Sequence, residues 1–85
     1  MELDVEFIES AFRHSYEPED YFELIAGRVL KTRSTRGLPG VYEVYGRNSA
    51  GDYLHIAYRK LPQKVVVFHM RRMTAREKQM FRRSQ

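Results

Sequence analysis

The spacing of hydrophobic and polar positions is helical at the start of the chain and strand-like after it. Three apolar side chains near the start, Val5, Ile8 and Phe12, recur at helical spacing. This spacing predicts a first helix over residues 4–14. A second helix is predicted over residues 18–27. It begins with a Pro-Glu-Asp sequence, which is typical of a first helical turn, and it ends at a Gly, which is typical of a helix end.

After these helices the segments become rich in β-branched and aromatic residues, and breaker-rich loops such as residues 35–40 separate them. Strands are predicted at residues 28–33, 41–47, 53–59 and 64–70. The connections between these strands are too short for parallel crossovers, so an antiparallel sheet is expected.

Thr74 and Glu77 form a capping-box pattern, which predicts a final helix over residues 75–83. Together the elements predict an α+β fold with two N-terminal helices and one C-terminal helix packed on a four-stranded antiparallel sheet. The length of the chain indicates that residues 1–85 form one domain.

Alternation along the strands assigns each side chain to one of two sheet faces. An apolar set is expected beneath the helices: Tyr42, Val44, Leu54, Ile56, Tyr58, Val66, Phe68 and Met70. The opposite face is mixed, and its polar members are Glu43, Arg47, His55, Arg59, His69 and Arg71. A register shift of one residue would exchange the two sets.

Charge is divided unevenly along the chain. Residues 1–27 contain eight acidic residues and one basic residue, whereas residues 28–85 contain fourteen basic and three acidic residues, and the whole chain has a net charge of +4. This asymmetry indicates a polyanionic partner for the second part. The alternative is that acidic helices pack beside a basic sheet and neutralise it.

The composition also limits the class of protein. The sequence has no Cys, no apolar run long enough to span a bilayer and no signal-peptide pattern at its start. We therefore expect a cytoplasmic protein without disulfides, without a membrane partner, and with no metal or cofactor, since no metal-binding or nucleotide-binding motif is present.

The mixed face carries groups suited to RNA chemistry. A His titrates near neutral pH and can transfer protons, and an Arg can bind phosphate through two N–H groups. Because RNA supplies its own 2′-OH nucleophile, cleavage needs a base, an acid and cationic stabilisation, but no metal. Each group also has a structural interpretation, such as a packed His or a cross-strand ion pair for Glu43. The basic residues at the end of the chain, Arg72, Arg76, Lys78, Arg82 and Arg83, are equally explained as a solvated helix face.

Several motifs, in order along most of the chain, resemble the BrnT family, the toxins of bacterial type II toxin–antitoxin pairs related to the RelE-like ribonucleases. These motifs are Asp4, Arg13-His14-Ser15, Pro18-Glu19-Asp20, the strand at 41–47, Gly51-Asp52-Tyr53-Leu54 and the segment from Arg71 to Glu77. Ser15 occurs where the family usually has Gly, and Phe81 where it usually has Tyr.

The resemblance implies a RelE-like fold, metal-independent endoribonuclease activity, and a cognate antitoxin partner of the BrnA type, with a possible homodimer inside the complex. It also draws attention to His14, Arg47, Arg71, Thr74 and Glu77, of which the last two are already explained as a helix cap. The alternatives are a non-catalytic RNA-binding or protein-interaction module with the same fold, and a structural protein whose charges are only solvated.

The predicted site combines both lines of argument. The predicted catalytic residues are His14, Arg47, His69, Arg71 and Glu43, with the two Arg on the scissile phosphate, a His exchanging protons and Glu43 as a less favoured base. The predicted RNA-binding residues are Arg59, Lys60, Lys64, Arg72 and Arg76.

Overall fold

The computed structural model describes residues 4–34 and 37–84, so the predicted loop at 35–40 lies partly outside the described residues. The elements, in chain order, are β1 (Asp4–Phe7), a short 3₁₀-helix (Glu9–Phe12), α1 (Pro18–Ala26), β2 (Leu30–Arg33), β3 (Val41–Arg47), β4 (Tyr53–Lys60), β5 (Lys64–Arg72) and α2 (Ala75–Arg83). No helix in the described part of the chain has the length and apolar character needed to cross a bilayer.

The sheet has five strands in the order β1-β5-β4-β3-β2, with β1 parallel to β5 and every other neighbouring pair antiparallel. The prediction of a four-stranded antiparallel sheet with three helices is therefore wrong, although the class is α+β and all four predicted strands are present. The connections that indicated antiparallel pairing join consecutive strands only, whereas β1 pairs with the last strand of the chain.

The predicted first helix, residues 4–14, is replaced by β1 and the 3₁₀-helix. Asp4 and Glu6 are exposed in β1, whereas Val5 and Phe7 are partly buried and pack against the core. This polar–apolar alternation is the strand period, and parallel pairing with β5 satisfies the backbone groups of β1 that face β5.

A β-bulge interrupts the pairing of β4 with β5. Ala57 pairs with His69 and Tyr58 pairs with Val67, so Phe68 has no partner on β4. The extra residue reverses the alternation in the first half of β5. Consequently Val67 belongs to the buried core, whereas Val66 and Phe68, both predicted to be in the core, are only partly buried and belong to neither core cluster.

The two α-helices lie on opposite faces of the sheet. Leu24 of α1 belongs to the larger core cluster together with Val44 and Ile56, while Phe81 of α2 packs with Tyr45, on the other face of β3. The prediction that all helices lie on one apolar face of the sheet is therefore wrong for α2. The mixed face becomes a cleft, because α2 covers only one end of it.

Candidate functional site

All three His of the chain lie next to one another on the mixed face. The ring centroid of His69 is 5.5 Å from that of His55 and 5.7 Å from that of His14. His55 pairs with Arg71 and His69 with Ala57, which makes the two imidazoles diagonal neighbours on adjacent strands. The row therefore extends from the middle of the sheet toward its edge.

His14 reaches this row because the segment around it is fixed to β5. The Ile8 backbone N–H donates to the Val67 carbonyl at 3.1 Å, and the Ser10 hydroxyl donates to the Phe68 carbonyl at 2.7 Å. Ser15 then takes a φ of 68°, in the left-handed region that favours Gly. His14 thus lies exposed at the rim of the cleft.

The innermost His is held by a carboxylate. His55 is 5% exposed, and its Nε2 lies 2.7 Å from Glu43 Oε1. Burial lowers the pKa of His55, against the opposing effect of the hydrogen bond to Glu43. In this contact the Nε2–H of His55 donates to Glu43, because a carboxylate can only accept. Among the described residues, the buried Nδ1 has no hydrogen-bond partner.

The neighbouring Tyr45 completes the support of this pair. Its ring centroid is 4.8 Å from that of His55. Burial, followed by the charge of Glu43, raises the pKa of Tyr45 to about 12. The phenol of Tyr45 therefore stays protonated at neutral pH.

His69 has the environment of a neutral imidazole. Burial is the main cause that lowers its pKa below 6.5, and the charges of His55, Arg71 and His14 lower it further. A neutral His at neutral pH can accept a proton, so His69 is chemically equipped to act as a base.

Arg71 is fixed by the start of α2. Its Nη1 and Nη2 each donate to a carboxylate oxygen of Glu77 at 2.7 Å, and Nη1 also donates to the Arg72 carbonyl at 2.9 Å. This ion pair is the largest cause that lowers the pKa of Glu77 to about 2. Glu77 also accepts from the Thr74 backbone N–H at 2.9 Å, so the predicted capping box is confirmed and holds Arg71 as well.

These groups surround a cavity of about 340 Å³, a volume within the usual range of about 300–1,000 Å³ for small-molecule sites. Its lining residues are Ser34, Leu38, Val41, Glu43, His55, Ala57, Phe68, His69 and Arg71. Of the predicted catalytic residues, Glu43, His69 and Arg71 line the cavity, and His14 contacts His69 at its rim.

Arg47, the fifth predicted catalytic residue, lies elsewhere. It is four residues beyond Glu43 on β3, roughly 13 Å along the strand. Its guanidinium carbon is 4.8 Å from the ring centroid of Tyr53, which also has Lys78 at 4.4 Å and Arg82 at 5.8 Å. We call these four residues, Arg47, Tyr53, Lys78 and Arg82, the Tyr53 cluster. No ion pair involves its three cations among the described residues.

The predicted RNA-binding residues occupy two ends of the sheet. Arg59, Lys60 and Lys64 lie around the turn from β4 to β5, and Lys64 forms an ion pair with Glu6 at 2.7 Å. Arg72 is the last residue of β5, roughly 27 Å from Lys64 along the strand, and Arg76 lies in the first turn of α2 that follows it. The two groups therefore do not form one surface.

Three groups of residues at the site were not predicted as functional. His55 was placed on the mixed face but not in the catalytic set, and Phe68 was assigned to the core because the bulge is not visible in the sequence. Lys78 and Arg82 were treated as a solvated helix face, although their spacing of four residues places them side by side on a helix.

Comparisons of the chain with protein-family models, with curated proteins and with solved structures gave no significant match. The resemblance to the BrnT family therefore depends on the sequence motifs alone. Within residues 4–34 and 37–84, no group of three or more His, Cys, Asp or Glu side chains is arranged to hold a metal ion.

Proposed function

We propose that the protein is a metal-independent endoribonuclease that cleaves RNA through attack of a 2′-OH on the adjacent phosphate. The observation that carries the proposal is the cavity in which His69, with a lowered pKa, lies between two other His and beside Arg71. The motif resemblance adds that the enzyme would be the toxin of a type II pair, acting in the cytoplasm and inhibited by a cognate antitoxin protein.

In this mechanism His69 removes the proton from the 2′-OH as the oxygen attacks phosphorus. The bond from phosphorus to the 5′-oxygen then breaks, leaving a 2′,3′-cyclic phosphate on one product. His14, exposed at the rim and in contact with His69, donates a proton to the departing 5′-oxygen.

Arg71 stabilises the negative charge that develops on the phosphate oxygens. In the described part of the chain, Glu77 and the Arg72 carbonyl accept from three of its five N–H groups. The N–H of Nε and the second N–H of Nη2 are left to bind a phosphate. The pairing with Glu77 fixes the direction of the guanidinium, so its orientation does not have to be established when RNA binds.

His55 and Glu43 act as positioning residues in this mechanism. Glu43 accepts from His55 at 2.7 Å, and the buried His55 ring packs against His69. Glu43 is therefore a poorer candidate for the base than His69, because it is already hydrogen-bonded to His55. The His55 ring in turn helps to hold the imidazole of His69 in place.

Incubation of the purified chain with single-stranded RNA in excess EDTA tests the proposal. We expect cleavage that leaves 2′,3′-cyclic phosphate and 5′-OH ends, and loss of cleavage when a 2′-deoxynucleotide replaces the nucleotide at the scissile bond. His69→Gln, purified in the same way, should lose at least about 100-fold in rate. Intact RNA at high protein concentration, or equal cleavage by His69→Gln, would contradict the proposal.

A second candidate is RNA binding without cleavage. It is favoured by the ion pair of Arg71 with Glu77 and by the distance of Arg47 from the cavity, because both arrangements reduce the positive charge available at one phosphate. In the same experiment it predicts a salt-dependent complex and no product.

A further inference from the structure

The β-bulge in β5 changes the direction of one aromatic side chain. Phe68 has no partner on β4, and its ring lines the cavity next to His69. The neighbouring Val67 and Met70 are fully buried in the core, whereas Phe68 belongs to neither core cluster. The Ser10 hydroxyl donates to the Phe68 carbonyl at 2.7 Å and so fixes the bulge. Bulges beside functional sites commonly redirect a side chain in this way.

The cavity has two chemically different walls. Glu43, His55, His69 and Arg71 form a polar wall, and Leu38, Val41 and Phe68 form an apolar one, while Ala57 lies between Glu43 and His69 in the sheet. Leu38 is 46% exposed, so part of the apolar wall is in contact with solvent. The reaction proposed above uses the polar wall only, which leaves an aromatic and aliphatic surface beside the reacting phosphate without a role.

We propose that the apolar wall is a nucleobase site, in which one unpaired base of the RNA stacks on Phe68 next to the scissile phosphate. The inference rests on the proposed function, and it adds that the substrate must be single-stranded at the cleaved position. In a duplex, each face of a base is covered by a neighbouring base, so stacking on Phe68 requires an unstacked nucleotide.

The site accepts any nucleobase, because stacking on Phe68 requires only an aromatic ring and not a particular base. Stacking of a base on an aromatic side chain strengthens binding by about 5-fold to 100-fold and tolerates any sequence, because every base has a π-face. With the base held on Phe68, its ribose is brought close to His69, the next residue along the strand. The base site would therefore position the 2′-OH as well as bind the strand.

The experiment combines base removal with removal of the ring. Single-stranded RNAs that each lack one base are prepared, with the abasic position moved across the cleavage site. Both kcat/KM and the dissociation constant, from fluorescence anisotropy, are measured for the wild-type chain and for Phe68→Ala. We expect one abasic position beside the cleaved bond to weaken wild type by about 5-fold to 100-fold, and to have little further effect in Phe68→Ala.

Two further variants serve as a matched control and as a second test of the Phe68 ring. Phe12→Ala is the matched control, because Phe12 is also partly exposed but packs on Phe7, away from the cavity. It should keep the full sensitivity to base removal. Phe68→Leu keeps an apolar side chain at the bulge and tests the site if Phe68→Ala does not fold.

The outcomes separate the two proposals. Cleavage or binding with equal sensitivity to base removal in wild type and both Phe68 variants overturns the base site but leaves the ribonuclease proposal in place. RNA that is bound and not cleaved overturns the ribonuclease proposal, while the anisotropy measurement still tests the base site. RNA that is neither cleaved nor bound overturns both.

Discussion

The cleft gives two His residues an environment that opposes their protonation. Both His55 and His69 have lowered pKa values, with burial as the largest cause, and Arg71 adds a positive charge beside each of them. Their neutral forms suit proton transfer at neutral pH. The same property makes the stability of the folded protein depend on pH, because the unfolded chain has no such burial.

This dependence gives the first prediction. Below the ordinary His pKa of 6.5, the unfolded chain binds more protons than the folded one, so the free energy of unfolding falls as the pH drops from about 7 to about 5. His69→Gln should reduce this fall, as measured by urea unfolding across that range. Glu77, with a pKa of about 2, contributes stability that is present above pH 4.5 and lost as the pH falls toward 2, outside the His window. Parallel curves for wild type and His69→Gln would contradict the assignment.

The turn that presents His14 gives the second prediction. Ser15 is the only described non-Gly residue with a positive φ, 68°. Ser15→Gly should raise the free energy of unfolding by about 0.5–1 kcal/mol, because Gly adopts this conformation without steric cost. Ser49→Gly, in a loop position without a positive φ, is the control and should not stabilise the protein. Both effects are measured by chemical denaturation.

At the level of elements, the start of α2 links a helix cap to the side chain of Arg71 in the cleft. Glu77 accepts from the Thr74 backbone N–H and from Arg71, while the Thr74 hydroxyl accepts from the Glu77 N–H at 3.2 Å. The cap therefore fixes both the first turn of the helix and the carboxylate that orients Arg71.

The third prediction concerns this cap. Thr74→Ala should lower the free energy of unfolding by about 1 kcal/mol, since the Glu77 N–H loses its acceptor. Thr74→Ser keeps the hydroxyl and should restore most of the loss. Thermal and urea unfolding measure both variants, and equal destabilisation by Ala and Ser would show that the methyl group, rather than the cap, is responsible.

Sequence patterns identify elements well where polar residues set the period, and poorly where they do not. The four predicted strands and the Thr74–Glu77 cap are present in the structure. Residues 65–68 are all apolar, so their alternation has no polar position to define its phase, and the bulge at Phe68 is undetectable. The helix predicted over residues 4–14 failed because Val5 and Phe7 fit a strand as well, and its partner β5 lies sixty residues away.

Strand alternation explains which of the predicted site residues lie together, and the packing of α2 explains why Arg47 lies apart from them. Glu43, His55, His69 and Arg71 share a face because all four follow the regular alternation on the side of the bulge near the site. Arg47 shares that face of β3, yet α2 packs on Tyr45 between Glu43 and Arg47. The prediction placed α2 on the other face of the sheet, so the separation of Arg47 from Glu43 was not foreseen.

For the whole molecule, the uneven charge is mostly not neutralised by internal pairing. Of the two ion pairs between Lys or Arg and a carboxylate among the described residues, only Lys64 with Glu6 joins the acidic first third to the basic remainder. The basic part therefore keeps a positive field that an RNA strand would experience. Within this part, the Tyr53 cluster holds three cations around one ring.

The fourth prediction tests that cluster as an anchor for the RNA backbone. Lys78→Gln with Arg82→Gln should weaken binding of single-stranded RNA and reduce the slope of log K against log salt by about 0.7 for each phosphate that is no longer neutralised. Arg33→Gln with Arg83→Gln removes the same charge from exposed positions outside the cluster and should change the slope less. Equal slopes for the two double variants would show that only net charge matters.

The parallel pairing of β1 with β5 has a consequence for how the protein folds. Residues 4–7 pair with residues 64–67, so this contact closes a loop of about sixty residues and is expected to form late. During synthesis the first strand has no partner until the last strand has left the ribosome. His14 depends on the same segment for its place beside His69, so the complete row of three imidazoles exists only after the sheet has closed.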